Sequence, residues 1–469
     1  MIFEHQEFFM SIPKILILLP DGIGLRNFVY SDFYKTGINQ QYKLTYWNAT
    51  PFSLKSSGLE EIELRGKVHP KTDLLKRAYI ENTLSAFEKN SGNPVFTLYR
   101  FPPAAKTWKQ KIKKLLVRYY SYTHRDALKG LRTKMQQSER KTAYYRHCIA
   151  TLTKEQPAFV FCTNQRPVNA IAPLTAAREL GIPTATFIFS WDNLPKATMV
   201  VETDYYFVWS ELMKNELLHY YPYIEKEQII ISGTPQFEMH FKPDIKQSRE
   251  DFCKTHELDS TKKYICFSGD DVTTSPHDPE YLKDVAQVVR TLNSATDNWR
   301  IIFRRCPVDF SARYDTVLQE YAAEIYTLAP LWEKIGAGWN SVLPTREDNA
   351  LLANTVAHCE LLINVGSSMV FDAVCHHTPC AYIAYNPEGI PLQKDIHTIY
   401  KYIHFQSMPE DAPVFWLQNK KELPRILATL DQHKEKTVKA AQTWFQTINQ
   451  HPPQKASERI WEGIKKILQ

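Results

Sequence analysis

The sequence predicts an α/β protein of two lobes, each built on a doubly wound parallel sheet, with the two sheets facing a cleft. Three observations carry this reading. Short, unbroken apolar runs recur, among them KILILL, AFVFCT, YYFVW, YICFS and LLINV. Such runs are too short for helices and too apolar for one-sided strands, so they belong to sheets covered on both faces. Helical segments ended by glycine or proline alternate with them, which is the pattern of parallel strands joined by crossover helices. Finally, 469 residues exceed one ordinary core, since a domain takes about 100 to 200 residues.

Composition narrows the class. The chain is 43% hydrophobic, 23% charged and 13% aromatic, which is globular rather than disordered. Its eight cysteines form no C-x-x-C pair, and several lie within apolar runs, so they read as reduced core residues. The opening MIFEHQEFFMSIPK is acidic where a secretion signal is basic, and no apolar run approaches the roughly twenty residues of a membrane span. A cytoplasmic protein is expected.

Lys14–Leu19 is the first strand, and Asp21, Gly22 and Gly24 follow in its turn. Ligands of open α/β sheets gather at the carboxyl ends of strands. Asp21 there suits a general base as well as a turn cap, and Gly22 and Gly24 would leave room for an acceptor.

Residues 104–147 form a one-signed insertion. Lys106, Lys109, Lys111, Lys113, Lys114, Arg118 and further cations to Arg146 meet only Asp126 and Glu139, in a chain whose net charge is +6. Trp108, Ile112, Leu115, Leu116, Tyr119, Tyr120 and Tyr122 are interleaved at near-helical spacing. A basic helix with boundary aromatics fits an anionic membrane surface, and no nucleic-acid-binding motif accompanies it.

Strands and helices alternate from residue 158 onward. Two loops stand out in this half: SWDNLPKA, with Trp191, Asp192, Asn193 and Lys196, and SGTPQFE after a strand over 228–232. Trp191 is either a stacking platform for an acceptor or the packing of a lobe edge, and Asp192 is a second candidate base or a turn cap. Polar, broken sequence at 238–258 reads as the interdomain linker. It divides an N-terminal lobe at 1–237 from a C-terminal lobe at 259–445, and a last helical stretch at 446–469 is expected to pack back on the N-terminal lobe.

In the second lobe, YICFS ends in Ser268, Gly269, Asp270 and Asp271, and RIIF runs into Arg304 and Arg305. Guanidinium forks suit a diphosphate, or else these arginines pair with Asp309 or Asp315. The most informative stretch is LLINVGSSMVFDAVCHHTPCAYIAY, 361–385. It reads as strand, turn, helix and strand. Gly366 permits the tight exit, and Ser367 or Ser368 caps a helix whose exposed amides suit a phosphate. Asp372, one turn in, is placed to accept hydrogen bonds from ribose hydroxyls.

VGSSMVFDAVCHHTPCAYIAY resembles the donor-binding segment of GT-B glycosyltransferases, and FSWDNLPKA, DYYFVWSELMKNE and IIISGTPQF are similar to segments of bacterial glycosyltransferases of surface-polysaccharide assembly. A more distant resemblance runs to the glycerophosphotransferases of teichoic-acid synthesis, and the two-lobe fold is shared with sugar-nucleotide epimerases. The resemblance implies a GT-B fold of two Rossmann-like lobes. It sets Gly366, Ser367 and Ser368 against the donor diphosphate and Asp372, in place of the usual Glu, on the ribose. Asn364 stands where retaining members often carry a second Glu, and Asp192–Asn193 stands where the teichoic-acid enzymes carry His-Gly.

The expected function is therefore metal-independent transfer of a sugar from a nucleotide-sugar donor to a hydroxyl acceptor of a glycan or lipid. No cofactor and no metal are expected. Ser268, Gly269, Arg304, Arg305, the Gly366 turn and Asp372 would hold the donor. Asp21 or Asp192 would take the acceptor's proton, beside Gly22, Gly24, Trp191, Asn193 and Lys196. An epimerase, a polyol-phosphate transferase of the same fold, or a non-catalytic nucleotide- or polysaccharide-binding protein are the alternatives.

Overall fold

A computed structural model describes residues 12–100, 106–123, 127–335 and 342–469. The opening residues 1–11 and part of the basic stretch, including Arg125 and Asp126, lie outside the described residues. The N-terminal lobe holds seven strands: β1 (Lys14–Leu19), β2 (Lys43–Asn48), β3 (Glu61–Glu63), β4 (Phe159–Cys162), β5 (Thr184–Phe187), β6 (Tyr205–Val208) and β7 (Ile229–Ile231). Their order across the sheet is β3-β2-β1-β4-β5-β6-β7, and every pairing is parallel.

The C-terminal lobe adds β8 (Lys263–Ser268), β9 (Trp299–Arg304) and β10 (Ile325–Thr327), then a small antiparallel pair, β11 (Glu333–Lys334) with β12 (Val342–Leu343). β13 (Leu361–Asn364), β14 (Cys380–Ile383) and β15 (Phe415–Leu417) complete it. The second sheet runs β10-β9-β8-β13-β14-β15, again wholly parallel. The central strands β1, β4, β8 and β13 are buried almost throughout, as strands covered on both faces must be.

Sequence patterning is silent between the first turn and the basic stretch, yet β2, β3 and the 22-residue helix Pro70–Ser91 lie there. That helix has a Pro start, His69 as its N-cap, and Gly92 in the left-handed conformation at its end, a regular pair of stop signals. The basic stretch forms three helices, Trp108–Thr123, Ala127–Glu139 and Ala143–Glu155. They do not share one environment. Arg132 is 5% exposed, pairs with Glu202 at 3.1 Å and lies 3.8 Å over the Tyr223 ring, and Arg140 pairs with Glu179. These cations serve the lobe, which leaves Trp108–Thr123 as the exposed basic helix.

The stretch read as a polar linker is pinned rather than free. Glu238, 1% exposed, accepts from the backbone N–H of Asp32 at 3.0 Å and of Ser457 at 2.6 Å, and from the Ser457 hydroxyl at 3.0 Å. One carboxylate thereby ties an early helix, the linker and the final helix together. Burial pushes this carboxyl up to about 7 against those hydrogen bonds.

The chain closes with helices Leu423–Ala428, Leu430–Ile448 and Ala456–Leu468. The last packs on the N-terminal lobe. Trp461 is fully buried, stacks on Phe33 at 4.8 Å and on Tyr42 at 5.1 Å, and donates from Nε1 to the Phe33 carbonyl at 2.7 Å. Trp461→Ala should destabilise the protein by roughly 3–5 kcal/mol, read as a lower denaturant midpoint at unchanged slope; a shift within error would contradict this packing.

Candidate active site

Each sheet has one place where strand order reverses. Successive strands from β1 to β3 grow one way and β4 to β7 the other, so the reversal lies between β1 and β4. In the second sheet it lies between β8 and β13. Crossovers leave to opposite sides at such a point and open a crevice at the carboxyl edge.

Asp21 follows β1 and Asn164 follows β4. The Asn164 amide donates to Asp21 Oδ2 at 2.8 Å and spans the first crevice, while Asp21 Oδ1 is buried with no partner. Burial pushes the Asp21 carboxyl from 3.8 up to about 6, over the opposing pull of Arg166, the Asn164 amide and the backbone N–H groups of Ile23 and Gly24. Lys76, which donates to the Arg166 carbonyl at 2.9 Å, is pushed down to about 8 by burial and then by the Arg166 charge. A carboxylate poised near neutrality is what proton abstraction needs.

The second crevice is flanked by Ser268, Gly269 and Asp270 after β8 and by Gly366, Ser367 and Ser368 after β13. Gly366 has φ +64°, and a Cβ there would come within 2.9 Å of Phe405, so glycine is required on two counts. Ser367 receives the Tyr382 hydroxyl on its carbonyl at 2.9 Å, and its N–H donates to Asn364 Oδ1 at 2.9 Å. Ser368 is exposed. Asp270 keeps Oδ2 buried without a partner, and burial with the charges of Asp278 and Asp271 raises its carboxyl well above the usual range. Among the described residues no group of three His, Cys, Asp or Glu side chains is arranged to hold a metal ion.

The crevices face each other. Leu343 of β12 sits so close to Gly22 that an added Cβ would lie 1.6 Å from its Cδ2, so the β1 turn abuts the opposite lobe. Lys394 of the C-terminal lobe is held below its usual value by burial and, in smaller part, by the positive charge of Lys196 on the N-terminal lobe. The Asp271 and Asp270 carboxylates act on Lys394 more strongly in the opposite sense, and its Nζ donates to the Thr273 carbonyl at 3.1 Å.

Other expected residues are committed elsewhere. Asp372 is 4% exposed, and its Oδ1 lies 2.8 Å from His240 Nε2 and 3.2 Å from the Arg26 guanidinium. His240 in turn meets His376 at 3.0 Å. Burial would raise the Asp372 carboxyl; His240 and Arg26 outweigh it and hold the group below its usual value. It joins the lobes with a carboxylate that has no surface left for a ribose. Arg304, 5% exposed, forks onto Asp348 at 2.9 and 2.8 Å, so it is spent on a buried pair. Asp309 takes Arg313 instead at 2.7 Å. Arg305 stays half-exposed, 3.9 Å from Asp315.

Trp191 is 5% exposed inside an aromatic cluster with His404, Phe371 and Trp444 at 4.7 to 5.8 Å. It packs the lobe edge and offers no open ring to an acceptor. Gly24 is likewise closed over, since a Cβ there would lie 2.6 Å from the Thr163 hydroxyl. Asn193 is buried between Asp192, to which it donates at 2.9 Å, and Gln165, from which it accepts at 3.1 Å. Asp192 pairs with Lys196; burial would raise its carboxyl, but the Lys196 charge and hydrogen bond, with His404 and Ser190, together hold it well below the usual range. That makes it a poor base beside Asp21.

No protein-family model and no curated protein matches the sequence. Solved structures do. A putative UDP-N-acetylglucosamine 2-epimerase from Listeria monocytogenes is similar over 98% of this chain and 97% of its own, with TM-score 0.53 and 10% identity. A glycosyltransferase from Rickettsia africae ESF-5 is similar over 98% and 99%, with TM-score 0.52 and 10% identity. This is the GT-B fold. MnaA of S. aureus, solved with UDP, matches over 97% of both chains at TM-score 0.51 and 12% identity. At such identities the likeness extends to the GT-B architecture alone.

Asn164, Lys76, Arg166 and Lys394 escape the sequence reading. Asn164 follows a legible strand, so the carboxyl-end rule points to it; the others arrive from distant elements and leave no local signal. Because the folded Asp21 carboxyl titrates near 6 and the unfolded one near 3.8, folding favours its proton, and stability falls as pH rises from about 4 through about 6. The cost above that range is about 3 kcal/mol. Asp21→Asn should abolish that fall, raising Tm at pH 7 relative to pH 4 compared with the parent; an unchanged difference would contradict the burial of this charge.

Proposed function

We propose that this protein is a nucleotide-sugar glycosyltransferase acting on a hydroxyl acceptor in surface polysaccharide or glycolipid assembly, with a uridine diphosphate sugar as donor. The observation that supports it most is the pair of opposed strand-order reversals, which sets Asp21 on one side of the cleft and the Gly269 and Gly366 turns on the other. In this reading Lys196 and Lys394, cations of opposite lobes, hold the diphosphate between them.

In this reading the acceptor oxygen attacks the anomeric carbon as the bond from that carbon to the diphosphate oxygen breaks. Asp21 Oδ1, the unpartnered oxygen, takes the acceptor's proton. Lys196, Lys394 and Arg305, with the backbone N–H of Ser368, stabilise charge developing on the leaving diphosphate. Ser268 shapes the floor of that crevice. Arg304 and Asp372 contribute by fixing the scaffold, and Asp192 by orienting Lys196. Solved GT-B structures support the donor class, since one glycosyltransferase and one UDP complex are among them.

A second reading, a sugar-nucleotide 2-epimerase, draws support from the Listeria neighbour. Product analysis separates the two. Transfer liberates a nucleoside diphosphate only when acceptor is present, whereas epimerisation returns the nucleotide sugar with its diphosphate linkage intact.

Activity of the parent should rise with pH through about 6 as Asp21 loses its proton, and Asp21→Asn should lower kcat by about 100-fold or more while leaving nucleotide affinity within twofold. Full activity in Asp21→Asn would remove it as the base. Lys394→Gln should weaken UDP binding, measured by calorimetry, by about tenfold; unchanged binding would remove the diphosphate from this cleft.

A further inference from the structure

Helix Trp108–Thr123 presents its apolar side to solvent. Val117 is its only buried residue, whereas Trp108, Ile112, Leu115 and Tyr119 are 67%, 45%, 65% and 61% exposed. At about 100° per residue these four fall within one stripe, and Val117 lies on the opposite side of the helix. The hydrophobic face is therefore open to solvent, the reverse of a helix that covers a core.

Charge identifies what covers it. Lys106, Lys109, Lys111, Lys113, Lys114 and Arg118 lie on or beside this helix, with no acidic residue between 106 and 123. Lys109 flanks one edge of the stripe and Lys111 and Arg118 the other. A second copy of the helix laid on this stripe would set cation against cation with no carboxylate to answer. Anionic lipid headgroups answer Lys109, Lys111 and Arg118 beside the stripe, while the boundary aromatics and aliphatics enter the acyl region. A groove of about 860 Å³ between this helix and Pro70–Ser91 shares Leu115 and Tyr119 with the stripe and is walled opposite by Ala86 and Lys89. Among the described residues no helix is long and apolar enough to cross a membrane, so this contact is made in the plane of the surface.

We propose that Trp108–Thr123 is an interfacial helix that docks the N-terminal lobe on an anionic bilayer, with Trp108, Ile112, Leu115 and Tyr119 inserted and Lys109, Lys111 and Arg118 at headgroup level. This contact holds whatever the chemistry of the cleft, because its readout is lipid binding alone.

Co-sedimentation of the full chain with phosphatidylglycerol-containing vesicles and with pure phosphatidylcholine vesicles tests it. The parent should prefer the anionic vesicles and weaken with added salt. Trp108→Ser/Leu115→Ser/Tyr119→Ser, whose sites are exposed and whose Tm should match the parent, should lose at least about tenfold in vesicle affinity. Lys109→Gln/Lys111→Gln/Arg118→Gln should remove the preference for anionic lipid. Equal binding by parent and serine variant overturns insertion. Absent vesicle binding overturns the proposal outright, and a dimer by gel filtration that the serine variant dissolves would assign the stripe to a second copy instead.

Discussion

The two lobes are held in register by one buried carboxylate. Asp372 of the C-terminal lobe takes Arg26 from the N-terminal lobe and His240 from the connection between them. Removing a charge so deeply buried from water is unfavourable unless good partners replace it, and here three chain segments must converge to supply them. Beside it, Trp191, Phe371, Trp444, Phe445 and Phe237 form a continuous aromatic contact. The ion pair fixes direction and the rings supply buried area. The cleft depends on this joint, since it decides how the two carboxyl edges face one another.

From that geometry follows a division of charge. Where a titratable group is buried without a strong partner it moves toward its neutral form, as Asp21 and Asp270 do; where an opposite charge is in contact it stays ionised, as Asp192 does beside Lys196. Asp21 thus exchanges its proton near neutrality, which is what the proposed base requires.

The fold was legible because its signal is local. Runs such as KILILL and LLINV state their burial in their own composition, and Gly366 in the left-handed region marks its turn. Parallel α/β lobes follow from their alternation, and the GT-B arrangement from the resemblance carried by segments such as 361–385. The site was legible only where it lies at a strand's end, as with Asp21 and the Gly366 turn. It was illegible where function depends on which distant residue arrives. Nothing near Asp372 in sequence shows that Arg26 and His240 occupy it, nothing near Arg304 shows Asp348, and Lys394 and Lys196 are linked only by the closure of two lobes. The region 238–258 shows the same limit: its polar composition suggests a loose connection, but Glu238 and His240 are buried because each ties segments far apart in the chain.

The proposed nucleoside diphosphate site lies where the strand order of the C-terminal sheet reverses. Hydrogen–deuterium exchange of the full chain, with and without saturating UDP, reads its occupancy. Bound UDP should slow exchange in peptides spanning 268–271, 365–368 and 393–396, with no change in 108–123. Protection confined to other segments, or no protection under conditions where calorimetry reports binding, would contradict it.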